Sequence, residues 1–163
     1  MNIDHPAQVQ IDALRANVST SFEESRAMPP QVYTSQEFNK AELEQIFKKD
    51  WFCVGRASAL AKPGDYVTCD LAEQPVIILR DHDNNLRAMS NVCRHRMSTL
   101  LSGRGSAKVI VCPYHAWTYN LEGNLRHIPG QEGFPGVNPE EHGLVEVSAR
   151  EKGGIVYVMQ EGE

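Results

Sequence analysis

Cys93-Arg94-His95 and Cys112-Pro113-Tyr114-His115 decide how this chain is read. Together they form a C-x-H…C-x-x-H set, with sixteen residues between His95 and Cys112. Two thiolates and two imidazoles are a metal-binding set, and two chemistries use it. Structural zinc takes four such ligands tetrahedrally, whereas some [2Fe–2S] centres take two Cys on one iron and two His on the other. Zinc spacings commonly pair Cys with Cys and His with His. Here each stretch mixes the two types, so two separate loops could clamp a cluster from either side. The mixing favours the cluster and leaves a zinc-stabilised module as the alternative.

Outward from these stretches, the chain reads as an ordinary folded domain. Its 163 residues suffice for one core, and 41% hydrophobic with 23% charged residues is typical of a soluble globular protein. The net charge of −5 offers no basic stripe for nucleic acid or an anionic membrane. No run approaches 18 consecutive apolar residues, and the N-terminus lacks a signal-peptide profile, so a cytoplasmic location is expected. The two remaining cysteines, Cys53 and Cys69, lie in strand-like runs where a small buried thiol is the default. A disulfide between them is not expected in a reducing compartment.

Residues 1–32 read as a polar N-terminal arm, with a short helix around Ala7–Ala16. Thr34, with Glu37 three residues on, reads as a capping box for a helix whose apolar stripe (Phe38, Leu43, Ile46, Phe47) runs to about Lys49. After Asp50 the pattern changes to short strands: Trp51–Ala57, Asp65–Leu71, Val76–Arg80, Leu86–Asn91, Val109–Val111, Trp117–Asn120, Gly143–Val147 and Ile155–Gln160. Turns fall at Lys62-Pro63-Gly64, at 81–85 and at Glu122-Gly123. The stretch from Ile128 to Gly143 holds three Pro and four Gly without periodicity and reads as a surface loop. No internal repeat that would change this picture is apparent. The fold expected is mostly β, an antiparallel sandwich or small barrel behind a helical arm.

The flanks of the ligand stretches, NVCRHR and CPYHAWTYNLEG, resemble the Rieske domain at the N-terminal end of ring-hydroxylating (Rieske non-haem iron) oxygenase alpha subunits. The resemblance runs over about residues 33–160, through VYTSQEF, IFKKDWFCVGR, PGDYV and GGIVYVMQ. It implies a Rieske-type β fold over 33–163, in which Cys93 and Cys112 hold one iron of a [2Fe–2S] cluster and His95 and His115 the other. Pro113, Tyr114 and Trp117 would line the cluster, Pro113 fixing its loop and the two aromatics excluding water. The family's mononuclear Fe(II) domain, with its two-His, one-carboxylate triad, is expected to be absent from these residues.

The function implied is electron relay: a ferredoxin or flavin reductase supplies electrons, and a catalytic domain of a trimeric oxygenase consumes them in dioxygen-dependent oxidation. Aromatic-ring hydroxylation and quaternary-ammonium oxidation are both open. A stand-alone Rieske ferredoxin is the alternative, although such carriers are generally shorter and lack the lead-in helix. Two departures from the usual flanks are Met97 and Ala116, where the family often has Gly. Respiratory Rieske proteins carry a disulfide between the loops and a hydroxyl residue after the second. The matching positions here are Ser98, Tyr114 and Trp117, so few donors to the cluster sulfurs, and a low potential, are expected. His5, His82, His127 and His142 read as isolated side chains.

Overall fold

The computed structural model describes residues 6–161; His5 lies outside them. The chain divides into two compact units, Met1–Lys48 and Lys49–Glu163. The arm boundary read from the sequence, after residue 32, falls inside a helical turn of the first unit.

The first unit contains α1 (Gln8–Val18), the single turn α2 (Gln31–Thr34) and α3 (Gln36–Glu42), which continues as a π-helical turn over Leu43–Phe47. Ala7, Val32, Phe38 and Ala41 close its small apolar centre. Ser35, not Thr34, caps α3. Thr34 is still in the α2 turn, while Ser35 is extended and accepts a hydrogen bond from the Phe38 N–H at 3.1 Å. Glu37 completes the arrangement by accepting from the Ser35 hydroxyl at 3.0 Å.

The second unit is antiparallel β throughout its named strands. β1 (Phe52–Arg56), β2 (Asp65–Leu71), β3 (Gln74–Arg80), β4 (Leu86–Ser90) and β5 (Arg104–Ser106) are followed by β6 (Ile110–Val111), β7 (Thr118–Tyr119) and β8 (Leu125–His127). β9 (Glu146–Lys152) and β10 (Ile155–Met159) complete the chain. Seven strands form one sheet in the order β1-β10-β9-β4-β3-β2-β5, and three form a second in the order β6-β7-β8.

β3 sits near the middle of the large sheet and is buried on both faces. Its alternation sends Val76 and Ile78 into one core, with Leu60, Ala88, Val156 and Val158. Ile77 and Leu79 enter the other, with Met89, Ile110, Trp117 and Tyr119. That second core also contains Cys93 and Cys112, so the ligand loops are rooted in it.

Two strands escape a reading by pattern, and one expected strand moves. β5 is short, exposed and centred on Gly105, whose hydrogen allows Tyr66 to lie against the backbone: a Cβ there would meet the Tyr66 hydroxyl at 2.9 Å. β8 is only three residues long. The strand expected over Gly143–Val147 instead begins at Glu146 and runs to Lys152. Pairing with β10 across the Gly153-Gly154 turn, both glycines at positive φ, sets that register rather than apolar alternation. Cys53 is exposed and Cys69 half-buried, contrary to the expectation of two buried thiols; β1 is an edge strand, and Cys53 faces out from it.

Candidate metal centre

Each candidate ligand stretch is a hairpin tip, and the two tips have the same backbone. Val92 bridges Thr99 around the first, and Val111 pairs with Thr118 around the second. Within each, the cysteine N–H donates to the carbonyl five residues on: Cys93 to Ser98 at 2.9 Å, Cys112 to Trp117 at 2.8 Å. The N–H four residues on returns to the cysteine carbonyl, from Met97 and from Ala116, both at 3.0 Å. Met97 and Ala116 are also the left-handed residues of the tips, at φ 56° and 55°. Their positions favour glycine, which gives the family's usual residue there a physical reason. VCRHRMST and VCPYHAWT are thus a short internal repeat in backbone, although only Val, Cys and Thr coincide in sequence.

The repeat places a cysteine at the base of each tip, buried in the core, and an imidazole above it. Cys93 and Cys112 are close enough to interact with one another, and the His95 and His115 ring centroids are 4.7 Å apart. The Nδ1 atoms of both histidines are buried and have no hydrogen-bond partner. Two such orphans side by side would be costly in a finished site; as ligand atoms they need no other partner.

The donors form two like pairs. Among the described residues no three His, Cys, Asp or Glu side chains converge as a mononuclear site requires. Two pairs suit a two-iron centre, which takes two protein ligands at each iron.

The surroundings of the two imidazoles differ. The Trp117 indole is buried and stacks on His95 with centroids 4.9 Å apart and planes 7° from parallel. Phe134, from the loop after β8, meets both rings edge-on, at 5.6 Å from His95 and 5.8 Å from Trp117. His142 reaches the Trp117 edge at 6.3 Å, its Nδ1 2.7 Å from the Asn138 carbonyl. His115, besides the His95 ring, has Tyr114 beside it, tilted at 3.8 Å and 59% exposed. Tyr114 therefore covers one histidine ring and leaves its own face to solvent. Pro113 opens the second turn and is exposed.

The sulfur side holds a correction to the donor count. The Tyr119 hydroxyl lies 3.4 Å from Cys93 Sγ and accepts from the Arg94 N–H at 3.1 Å. The Ser98 hydroxyl and the Tyr114 and His115 amides face Cys112. Hydroxyl donors are thus present although Trp117 stands where respiratory Rieske proteins carry a hydroxyl residue. Burial raises the Cys93 thiol above its ordinary range against the opposing Tyr119 and His95 donors. At Cys112 burial also opposes ionisation, but the Tyr114 and His115 amides together with the Cys93 and Ser98 side chains outweigh it and the thiol lies lower. Burial, followed by the charges of His115 and Arg96, lowers His95 and favours the neutral ring that a metal requires.

Phe134, His142 and Tyr119 were not legible as site residues. Phe134 and His142 sit in an aperiodic loop, and Tyr119 is one of several strand aromatics. His82 and His127 stay exposed, and His127 pairs across β7 and β8 with Thr118 at the foot of the second tip.

A Rieske [2Fe–2S] domain model matches residues 50–140, which include both hairpins. The carnitine monooxygenase oxygenase subunit of Escherichia coli is 40% identical over 146 residues, 89% of this chain and 39% of that protein. The benzene 1,2-dioxygenase subunit alpha of Pseudomonas putida is 31% identical over 155 residues, 93% of this chain and 34% of that one. A solved quaternary ammonium Rieske monooxygenase in complex with L-carnitine superposes with a TM-score of 0.78 at 40% identity, over 82% of this chain and 38% of its own. The chain thus spans well under half the length of these relatives. Hairpin geometry, donor set and sequence agree, and the chain belongs to the Rieske [2Fe–2S] domain family.

Proposed function

We propose that this chain is the electron-relay domain of a Rieske oxygenase alpha subunit, with Cys93 and Cys112 on one iron and His95 and His115 on the other. The observation that carries the assignment is the pair of buried, partnerless Nδ1 atoms set above two adjacent cysteines. When bound, the [2Fe–2S] centre supplies one-electron redox chemistry, and replacing two thiolates by imidazoles raises its potential above that of a plant-type ferredoxin. The chain's residues do the rest. The paired hairpins orient the four donors, and the Tyr119 and Ser98 hydroxyls favour negative charge at the sulfurs. Trp117 and Phe134 hold the His95 ring and exclude water from it, with Tyr114 over His115 and Pro113 opening its turn.

On this reading electrons arrive from a ferredoxin or flavin reductase in the cytoplasm. They leave for the mononuclear iron of a catalytic domain in a trimeric enzyme, where dioxygen is activated. The Rieske domain is taken as 33–163, behind an arm of residues 1–32. The higher identity to the carnitine relative than to the benzene relative supports a quaternary-ammonium substrate over an aromatic one. No described helix is long and apolar enough to cross a membrane.

Iron and zinc counted in one sample, with an EPR spectrum of the dithionite-reduced protein, test the reading. Two irons and the paramagnetic signal of a one-electron-reduced [2Fe–2S] centre are expected. One zinc and no colour would replace the relay with a structural module. Failure to associate with any oxygenase catalytic domain in gel filtration would favour a stand-alone carrier.

A further inference from the structure

His142 stands one ring away from a candidate ligand without being one. Its imidazole meets the Trp117 indole edge-on, with centroids 6.3 Å apart and planes 68° from parallel. Trp117 in turn stacks on His95 at 4.9 Å. The buried indole fills the space between the two imidazoles and keeps water out of it.

The tautomer of His142 follows from its partner. A backbone carbonyl can only accept, so the 2.7 Å contact with the Asn138 oxygen makes Nδ1 the nitrogen that carries hydrogen. The neutral ring therefore keeps its lone pair on Nε2. When a proton binds there, the Nδ1 bond persists and becomes charge-assisted. The surrounding turn is already tied: the Asn138 side chain accepts from the Glu140 N–H at 3.1 Å and donates to Glu141 at 3.0 Å. A cation at His142 thus needs no rearrangement of the loop.

Several charged groups belong to the elements packed around it. Glu140 and Glu141 come from its own turn, and Arg126 and His127 from β8, which packs against that turn. Glu122 precedes Gly123, whose carbonyl accepts from the Leu144 N–H at 2.8 Å. Glu146 opens β9 and lies 3.7 Å from Arg87. Besides His142, His127 is the one side chain of this set whose residue type changes charge near neutral pH.

We propose that His142 is a proton-binding site coupled to the electron on the centre, the two communicating by electrostatics across Trp117. The proposal rests on the cluster reading above. Reduction adds one negative charge to the centre, and across a buried ring that charge is little screened. One electron enters from a donor and one proton enters from solvent onto His142 Nε2; no bond between protein atoms forms or breaks. By reciprocity, a cation at His142 favours the reduced centre. The reduction potential should therefore climb as pH falls through the range in which histidine gains its charge.

Voltammetry of protein shown by iron count to hold two irons tests this. From about pH 8 to about pH 5 the equilibrium constant for reduction should rise about threefold, or about 30 mV at about 59 mV per tenfold for one electron. His142→Phe keeps a ring edge against Trp117 but takes no proton, and its profile should be flat. Should that variant lose iron, His142→Gln should show the same flatness. His127→Gln should keep the full rise. A flat parent profile overturns the proposal. So does a rise that survives at His142→Phe or His142→Gln, which would place the proton elsewhere, or one that vanishes in His127→Gln. A parent protein lacking two irons overturns the cluster reading instead, so the two failures are distinct.

Discussion

The two candidate ligand hairpins share a backbone and differ in what surrounds their histidines. Both close with the same pair of hydrogen bonds, and both turn through a left-handed residue that is not glycine. Yet His95 is stacked on Trp117 and edged by Phe134, while His115 lies under an exposed Tyr114. Backbone repetition sets where the donors stand. Aromatic packing decides how tightly each ring is held and how wet it is. Two imidazoles proposed for the same role are therefore not interchangeable.

Removing a ligand gives the largest effect. His95→Ala or His115→Ala should abolish the two-iron spectrum, and visible absorbance with iron analysis would show it. If either variant kept a normal centre, the hairpins would not be equivalent ligand platforms. Next is the packing difference. Trp117→Ala deletes a buried indole and should cost roughly 3 to 5 kcal/mol of unfolding free energy, whereas Tyr114→Ala should cost less than about 1 kcal/mol. Urea titrations of the two variants compare them directly; equal losses would dissolve the contrast.

Asp81 supplies a reference outside both hairpins. It is buried at the β3–β4 turn. Burial raises its carboxyl, but hydrogen bonds from the Asn85 backbone and from Arg87 outweigh this and leave it below the ordinary carboxylate range. A depressed folded-state pKa means stability that is full above the unfolded value near roughly 3.9 and is lost as pH falls through the folded value. Asp81→Asn should cost about 1 to 3 kcal/mol at pH 7 and flatten the stability profile below about pH 4. A profile as steep as the parent's would assign the acid sensitivity elsewhere.

Smaller effects sharpen the comparison at the sulfurs and the turns. Tyr119→Phe removes the hydroxyl at Cys93 and should lower the reduction potential by about 40 mV, the equivalent of about 1 kcal/mol for one electron. Protein-film voltammetry reads it, and no shift would mean that the hydroxyl favours both redox states equally. Met97→Gly and Ala116→Gly should each stabilise by about 1 kcal/mol, because both relieve a left-handed residue. Unequal gains would reveal strain specific to one tip.

Much of this was legible in the chain itself. Asp65–Leu71 matches β2 residue for residue, and the β4 and β10 runs are found to within a residue, because their apolar content is dense and turn residues bound them. The candidate ligand set stands out because its residue types are scarce. What escaped depends on the chain returning from a distance. Phe134 and His142 reach Trp117 from a loop with no periodicity, and Tyr119 meets Cys93 across 26 residues. The hairpin repeat is a backbone fact that only three shared side chains betray. Glu146–Lys152 forms a strand because β10 is its neighbour, not because its own residues alternate.

β3 divides two cores of unequal dependence. The core holding Val76, Ile78, Val156 and Val158 contains none of the four candidate ligands, while the one holding Ile77 and Leu79 is built around Cys93 and Cys112. Stripping the metal should loosen the molecule from one side only. Amides of β1, β10 and β3 should keep slow hydrogen exchange in the apo protein while those of β6, β7 and β8 become fast. The fold would then survive as a half-ordered receptacle, with its ligand-free layer assembled before any iron arrives.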